Sequence, residues 1–193
     1  MLTRFNSILI FKIIRFCLRY LICGAFVFFS CEEADYTLDN PNDPENMDLE
    51  PPALFFHPQE IQTNLDSSFS VQLYGLKLKS AAAAHLDIRY DWGSVQIDSV
   101  VADTFFQSEN NPIQIVIDEE GTLDIFIYLL PDTESDQNEG GTWSLATIYM
   151  HPISTGESEL LYGENTRLRD ANNDSVVVKS FGSGFINVET GCI

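Results

Sequence analysis

The stretch Thr122-Leu-Asp-Ile-Phe-Ile-Tyr-Leu-Leu130 decides the fold class. Leu123, Ile125, Ile127 and Leu129 recur at every second position. Side chains return to the same face every second residue in a strand, but every third or fourth in a helix. Strict alternation therefore makes this a strand with one face in the core. Glu120-Gly121 just before it is turn chemistry, and Ile113–Asp118 on the far side of that turn is a second β-branched run.

Working outward, the same alternation recurs in Phe69, Val71 and Leu73, and again in Leu86, Ile88 and Tyr90. Further candidate strands are residues 53–56, 68–79, 85–90, 95–101, 142–151, 158–161, 175–178 and 184–188. Turn residues such as Asn172-Asn173 separate them. One stretch, Ser80–Ala84, has helical composition but is too short to alter the class. No repeat of solenoid or propeller period is present. Many short strands with regular turns predict an all-β sandwich or jelly roll.

Two segments carry a family resemblance. The first is Leu86-Asp-Ile-Arg-Tyr-Asp-Trp-Gly-Ser-Val-Gln-Ile-Asp-Ser-Val-Val101. The second is Gly141-Thr-Trp-Ser-Leu-Ala-Thr-Ile-Tyr-Met150, continued through Gly156 and Leu168-Arg-Asp-Ala-Asn-Asn173 to Gly184-Phe-Ile-Asn-Val188. Their order and spacing resemble the cohesin domain over nearly all of the chain from Ala53 to Val188. The resemblance implies a nine-stranded jelly-roll β-sandwich, an architecture shared with carbohydrate-binding modules. A non-catalytic role is expected on separate grounds, from the lack of a recognisable catalytic motif. Cohesins bind dockerin modules, small calcium-loaded helical partners, through one sheet face. The polar contact positions on the strand before Tyr90-Asp91 fall here on Ala83 and His85, a departure from the best-known class.

Other chemistry is weakly represented. Asp170, Asn172 and Asp174 mimic the opening of a calcium loop, but Ser175 stands where glycine is required and Phe181 where a bidentate glutamate belongs. An Asx-rich turn is the simpler account, and no metal or other cofactor is expected. His57, His85 and His151 are dispersed, with no zinc-ligand spacing. There is no nucleophile elbow, and Gly182-Ser183-Gly184 fits a bend into the last strand. Carboxylate pairs such as Glu119-Glu120 are common because the chain is acidic. Trp143 shares a face with Leu145, which places it towards the core. Trp92 lies in a turn and is open to two accounts: a flat platform for a sugar ring, or a cap on the end of the sandwich.

The N-terminus is of another kind. Arg4, Lys12, Arg15 and Arg19 precede an apolar run from Tyr20 to Phe29, then Ser30 and Cys31. Basic, then apolar, then small is the layout of a secretory leader. Its end partly resembles a lipobox, although Phe28 and Phe29 are bulkier than usual. This predicts a signal peptide over 1–30, lipidation of Cys31, a disordered acidic linker over 31–51, and the sandwich over 52–190. A transmembrane anchor is the rival, but the apolar run is short of the roughly 20 residues that span a bilayer. The linker carries eight acids, two prolines and no base between Glu32 and Glu50. Acids directly after the lipidated cysteine resemble the export signal of surface-exposed outer-membrane lipoproteins; a plain solvated spacer is the alternative.

The whole chain has a net charge of −19; four of its ten basic residues leave with the leader while all 29 acids stay, which takes the mature chain to −23. Such a surface repels phosphate backbones, so nucleic acid is excluded as a partner. Cys17 and Cys23 belong to the leader and Cys31 to the lipid, which leaves Cys192 with no internal disulfide partner. The expected function is a surface-tethered binding module for a dockerin-like protein, or else for a polysaccharide, touching the membrane through its lipid alone.

Overall fold

Each of the three alternating segments becomes a strand. The computed structural model describes residues 48–65, 67–106, 111–130 and 141–190. The leader, Cys31, most of the linker and Cys192 lie outside the described residues. Among the described residues there is no helix. The strands are β1 (Ala53–His57), β2 (Glu60–Asn64), β3 (Phe69–Leu76), β4 (Ala81–Arg89), β5 (Val95–Ala102), β6 (Ile113–Glu119) and β7 (Thr122–Tyr128). They continue as β8 (Thr142–Pro152), β9 (Gly156–Tyr162), β10 (Arg167–Asp170), β11 (Ser175–Val176), β12 (Ser180–Phe181) and β13 (Gly184–Glu189).

Two sheets face each other. The first runs β12-β1-β3-β8-β5 and the second β11-β10-β4-β9-β13-β2, with β7 also paired to β4 and β6 to β7. Both are mixed, because β1 lies parallel to β12 and β13 parallel to β2. The jelly-roll sandwich that the resemblance implies is present, built among the described residues from thirteen strands, several of them short. Leu54, Phe56, Val71, Leu73, Leu86, Ile88, Leu123, Ile125, Ile127, Ile148 and Met150 are buried between the sheets. Each such side chain is worth about 1.5–3 kcal/mol when fully buried. Trp143 packs against this core, as its place in the alternation predicts.

The alanine run is a correction to the sequence analysis. Ala81–Ala84 belongs to β4, not to a helical turn. Tertiary pairing overrides alanine's helix propensity, since this stretch lies between β10 and β7. β4 is thus the hub of its sheet. It keeps β7 on one side from Ala83 to Arg89, and on the other side meets β10 first and β9 at Ile88 and Arg89.

Candidate functional site

The period of β4 sets the site. Ala84, Leu86 and Ile88 point into the core, so Ala83, His85, Asp87 and Arg89 point outward. Register extends this outward face across the sheet. Tyr128 and Phe126 of β7 stand opposite Ala83 and His85, while Ile113, Ile115 and Ile117 of β6 stand opposite Tyr128, Phe126 and Asp124. On the other flank, Arg167 and Arg169 of β10 stand opposite His85 and Ala83.

The face has two chemical halves. Ile113, Ile115 and Ile117 are 49%, 50% and 44% exposed, and Tyr128 beside them is exposed too. The other half carries Arg89, Arg167 and Arg169, which are all the arginines of the chain after residue 30. Arg89 is held by Asp87, at 3.0 Å from Nε to Oδ1, and donates from Nη1 to Thr122. Arg169 donates to the Asn173 carbonyl, and Arg167 has no ion pair among the described residues. Half of the six basic residues after residue 30 thus stand on one face of an acidic protein.

His85 sits where the halves meet. Its ring stacks on Phe126 at 4.2 Å, and Nε2 lies 2.6 Å from Asp124 Oδ1. Its Nδ1 is buried with no partner. The side chain is only 12% exposed, so it offers a ring edge and mainly positions its neighbours. Ala83 leaves a shallow place between Tyr128 and Arg169.

Asp87 is wholly buried although it points outward. The loop from Gly163 to Thr166 folds over it. Asn165 donates to its carboxylate, Gly163 N donates to its carbonyl at 2.7 Å, and Thr166 Oγ1 accepts from its backbone N–H. The carboxylate is thereby a post that fixes both Arg89 and the β9–β10 loop beside the face.

Trp92 stands apart from this face. It is 54% exposed in the turn after β4, near the Gly121 turn that joins β6 to β7. Asp91 builds its turn by accepting from Gly93 N and Ser94 Oγ, and its carbonyl accepts from Ser94 and Val95. The Asp170 turn is built likewise: Oδ1 accepts from Asn172 N at 2.9 Å and Asp174 N at 2.8 Å. That carboxylate is spent on backbone amides, as an Asx turn requires.

The structure thus brings Ala83 and His85 onto one face and leaves Trp92 at the end of the sandwich. The isoleucines and arginines went unseen in the sequence. Ile113, Ile115 and Ile117 alternate with Gln114 and Asp118, a pattern that by itself sets the isoleucines towards the core, whereas in the structure they form the open side. The arginines carried a usable signal, since basic residues are scarce after residue 30 and two of them bracket Leu168.

No protein-family model matches the chain, and neither does any curated protein sequence. Solved structures do match. A type II cohesin domain from the cellulosome of Acetivibrio cellulolyticus superposes with a TM-score of 0.61 at 14% identity, covering 70% of this chain and 94% of its own. A non-cellulosomal cohesin from the archaeon Archaeoglobus fulgidus gives 0.57 at 13% identity, over 72% of this chain and 91% of its own. The sixth cohesin of an A. cellulolyticus scaffoldin, solved in complex with a dockerin, gives 0.58 at 17% identity, over 71% of this chain and 98% of its own. The described domain has a cohesin-like fold.

Proposed function

We propose that this cohesin-like sandwich is a non-catalytic module that holds a protein partner on the outward face of β10, β4, β7 and β6. The observation that carries the reading is the row of half-exposed isoleucines on β6 beside exposed Tyr128. Soluble domains seldom leave contiguous apolar area open unless something docks there. The flanking arginines supply orientation at a polar rim. Solved relatives of the same fold include complexes with dockerins, which supports a protein module as the partner. Lipidation of Cys31 and the acidic linker would hold the module at the outer membrane, on the cell surface.

A second reading keeps one specific observation. Trp92 is the most exposed aromatic ring among the described residues, and an open indole stacks well on a sugar. In that case the module binds polysaccharide at its end turn and the sheet face is idle.

The test captures the chain's own secreted proteins and insoluble polysaccharides on the immobilised 48–193 domain, in parallel with Ile115→Asp and Trp92→Ala. A protein ligand should lose at least tenfold in affinity with Ile115→Asp, about 2 kcal/mol for a central contact. Trp92→Ala should leave it unchanged. Glycan binding abolished by Trp92→Ala would replace the first reading with the second.

A further inference from the structure

We propose that β6 pairs edge to edge with β6 of a second copy of this chain, across a two-fold axis at Val116. β6 is the open margin of its sheet: among the described residues it pairs with β7 alone. Its neighbour joins it through the two-residue turn Glu120-Gly121, with both φ values positive at 34° and 94°. In such a hairpin the residues flanking the turn form a hydrogen-bonded pair, and every second pair after it does the same. Glu119, Ile117, Ile115 and Ile113 therefore bond to β7. The backbone groups of Asp118, Val116 and Gln114 point away from it.

The side chains of this outer set are arranged to leave that backbone free. Gln114 reaches back to β5, donating to the Val100 carbonyl at 2.9 Å and accepting from Ala102 N at 3.0 Å. Asp118 accepts from the Tyr90 hydroxyl. Between these two anchors Val116 stands 40% exposed. Natural edge strands are guarded by lysine, proline, a bulge or a covering segment. From Ile113 to Ile117 β6 has no such residue, and its register against β7 is unbroken.

A second copy fits this edge in one register better than in others. With the axis at Val116, Val116 faces Val116, Gln114 faces Asp118, and Ile113 faces Glu119. All three outward residues are used, and no acid opposes an acid. The two Asp118 carboxylates then stand about 14 Å apart along the strands. That exceeds the roughly 8 Å screening length at physiological salt. An axis at Asp118 would set carboxylate against carboxylate. An axis at Gln114 would place Pro112, which has no N–H, opposite Val116. The paired strands would also join the two outward isoleucine rows into one surface.

The test uses the full chain in excess detergent micelles, with Cys17, Cys23, Cys31 and Cys192 replaced by serine. Chains carrying Ile113→Cys are mixed with chains carrying Glu119→Cys under mild oxidation. A disulfide-linked dimer should form in the mixture at least tenfold faster than in either variant alone, because only unlike positions face each other. Added salt should strengthen association by screening the net negative charge. Val116→Pro removes an N–H that β7 does not use, so it should fold and abolish the link; Val116→Lys should do the same by charge. Equal cross-linking in the single variants, a cross-linking rate unchanged by Val116→Pro, or a monomer at all concentrations would each overturn the proposal.

Discussion

Gly163 passes so close over Asp87 that a Cβ at that position would overlap the carboxylate. The contact explains how an outward-pointing aspartate becomes fully buried, and it makes glycine obligatory for a spatial reason. Gly163→Ala must lift the β9–β10 loop or tilt Asp87, at a cost of about 1–3 kcal/mol for overpacking. Asp87→Ala removes the acceptor for Arg89 and Asn165, and should cost about 1–3 kcal/mol, because the loop loses its hydrogen-bond partner while half-exposed Arg89 can turn to water. Urea unfolding monitored by fluorescence reads both as lowered midpoints. A midpoint unchanged in Gly163→Ala would show that the loop does not rest on Asp87.

Tyr162 provides a pH dependence with a defined sign. Its ring stacks on Phe56 at 4.6 Å and its hydroxyl donates to the Phe55 carbonyl at 3.2 Å. Burial pushes its phenol far above the ordinary value of 10.0. Since the folded value is raised, the unfolded chain releases that proton more readily. Stability from the neutral ring is complete below about pH 10 and declines above it. The domain should therefore unfold in strong alkali. Tyr162→Phe should lessen that loss, while costing about 1 kcal/mol at neutral pH for the missing hydrogen bond. Ultraviolet titration should show one fewer tyrosine ionising together with the loss of the fold in Tyr162→Phe than in the parent chain.

How much of this was legible depended on whether one face of a segment was dry. Leu123, Ile125 and Ile127 alternate because β7 lies within a sheet, with the core on one side and the outward face on the other. In β6 the same alternation misleads: Ile113, Ile115 and Ile117 lie on the exposed face, while Gln114, Val116 and Asp118 stand opposite Ile127, Ile125 and Leu123. The short strands β2, β10 and β12 went unrecognised because they carry few apolar residues: Ile61, Leu168 and Phe181 are the large ones. Ala81–Ala84 misled because pairing, not propensity, decides it. Of the site, Ala83 and His85 were reached through family resemblance and do lie outward. The arginines and isoleucines that give the face its chemistry needed the register of four strands.

The lipid tether makes a prediction that needs no ligand. If Cys31 is acylated, the mature chain begins at a modified cysteine and partitions into detergent. Cys31→Ala should leave the precursor uncut or release the protein. An unmodified mature terminus at any other residue, found by intact-mass measurement, would refute the tether.

Gln114 makes the last prediction, because its carboxamide acts as a piece of strand. It accepts from Ala102 N and donates to the Val100 carbonyl, the exchange that a neighbouring backbone would make. It thereby closes part of the gap where β5 edges one sheet and β6 the other. Gln114→Leu keeps most of the volume but leaves an N–H and a carbonyl unpaired, at about 1–3 kcal/mol for a buried group. Water can reach this margin, so the loss should fall near the lower end. Hydrogen exchange separates a local effect from a general one. In Gln114→Leu the Ala102 amide should lose protection while those of Leu86, Ile88 and Ile125 keep theirs. Uniform loss of protection would mean that Gln114 stabilises the whole sandwich, not the seam between β5 and β6.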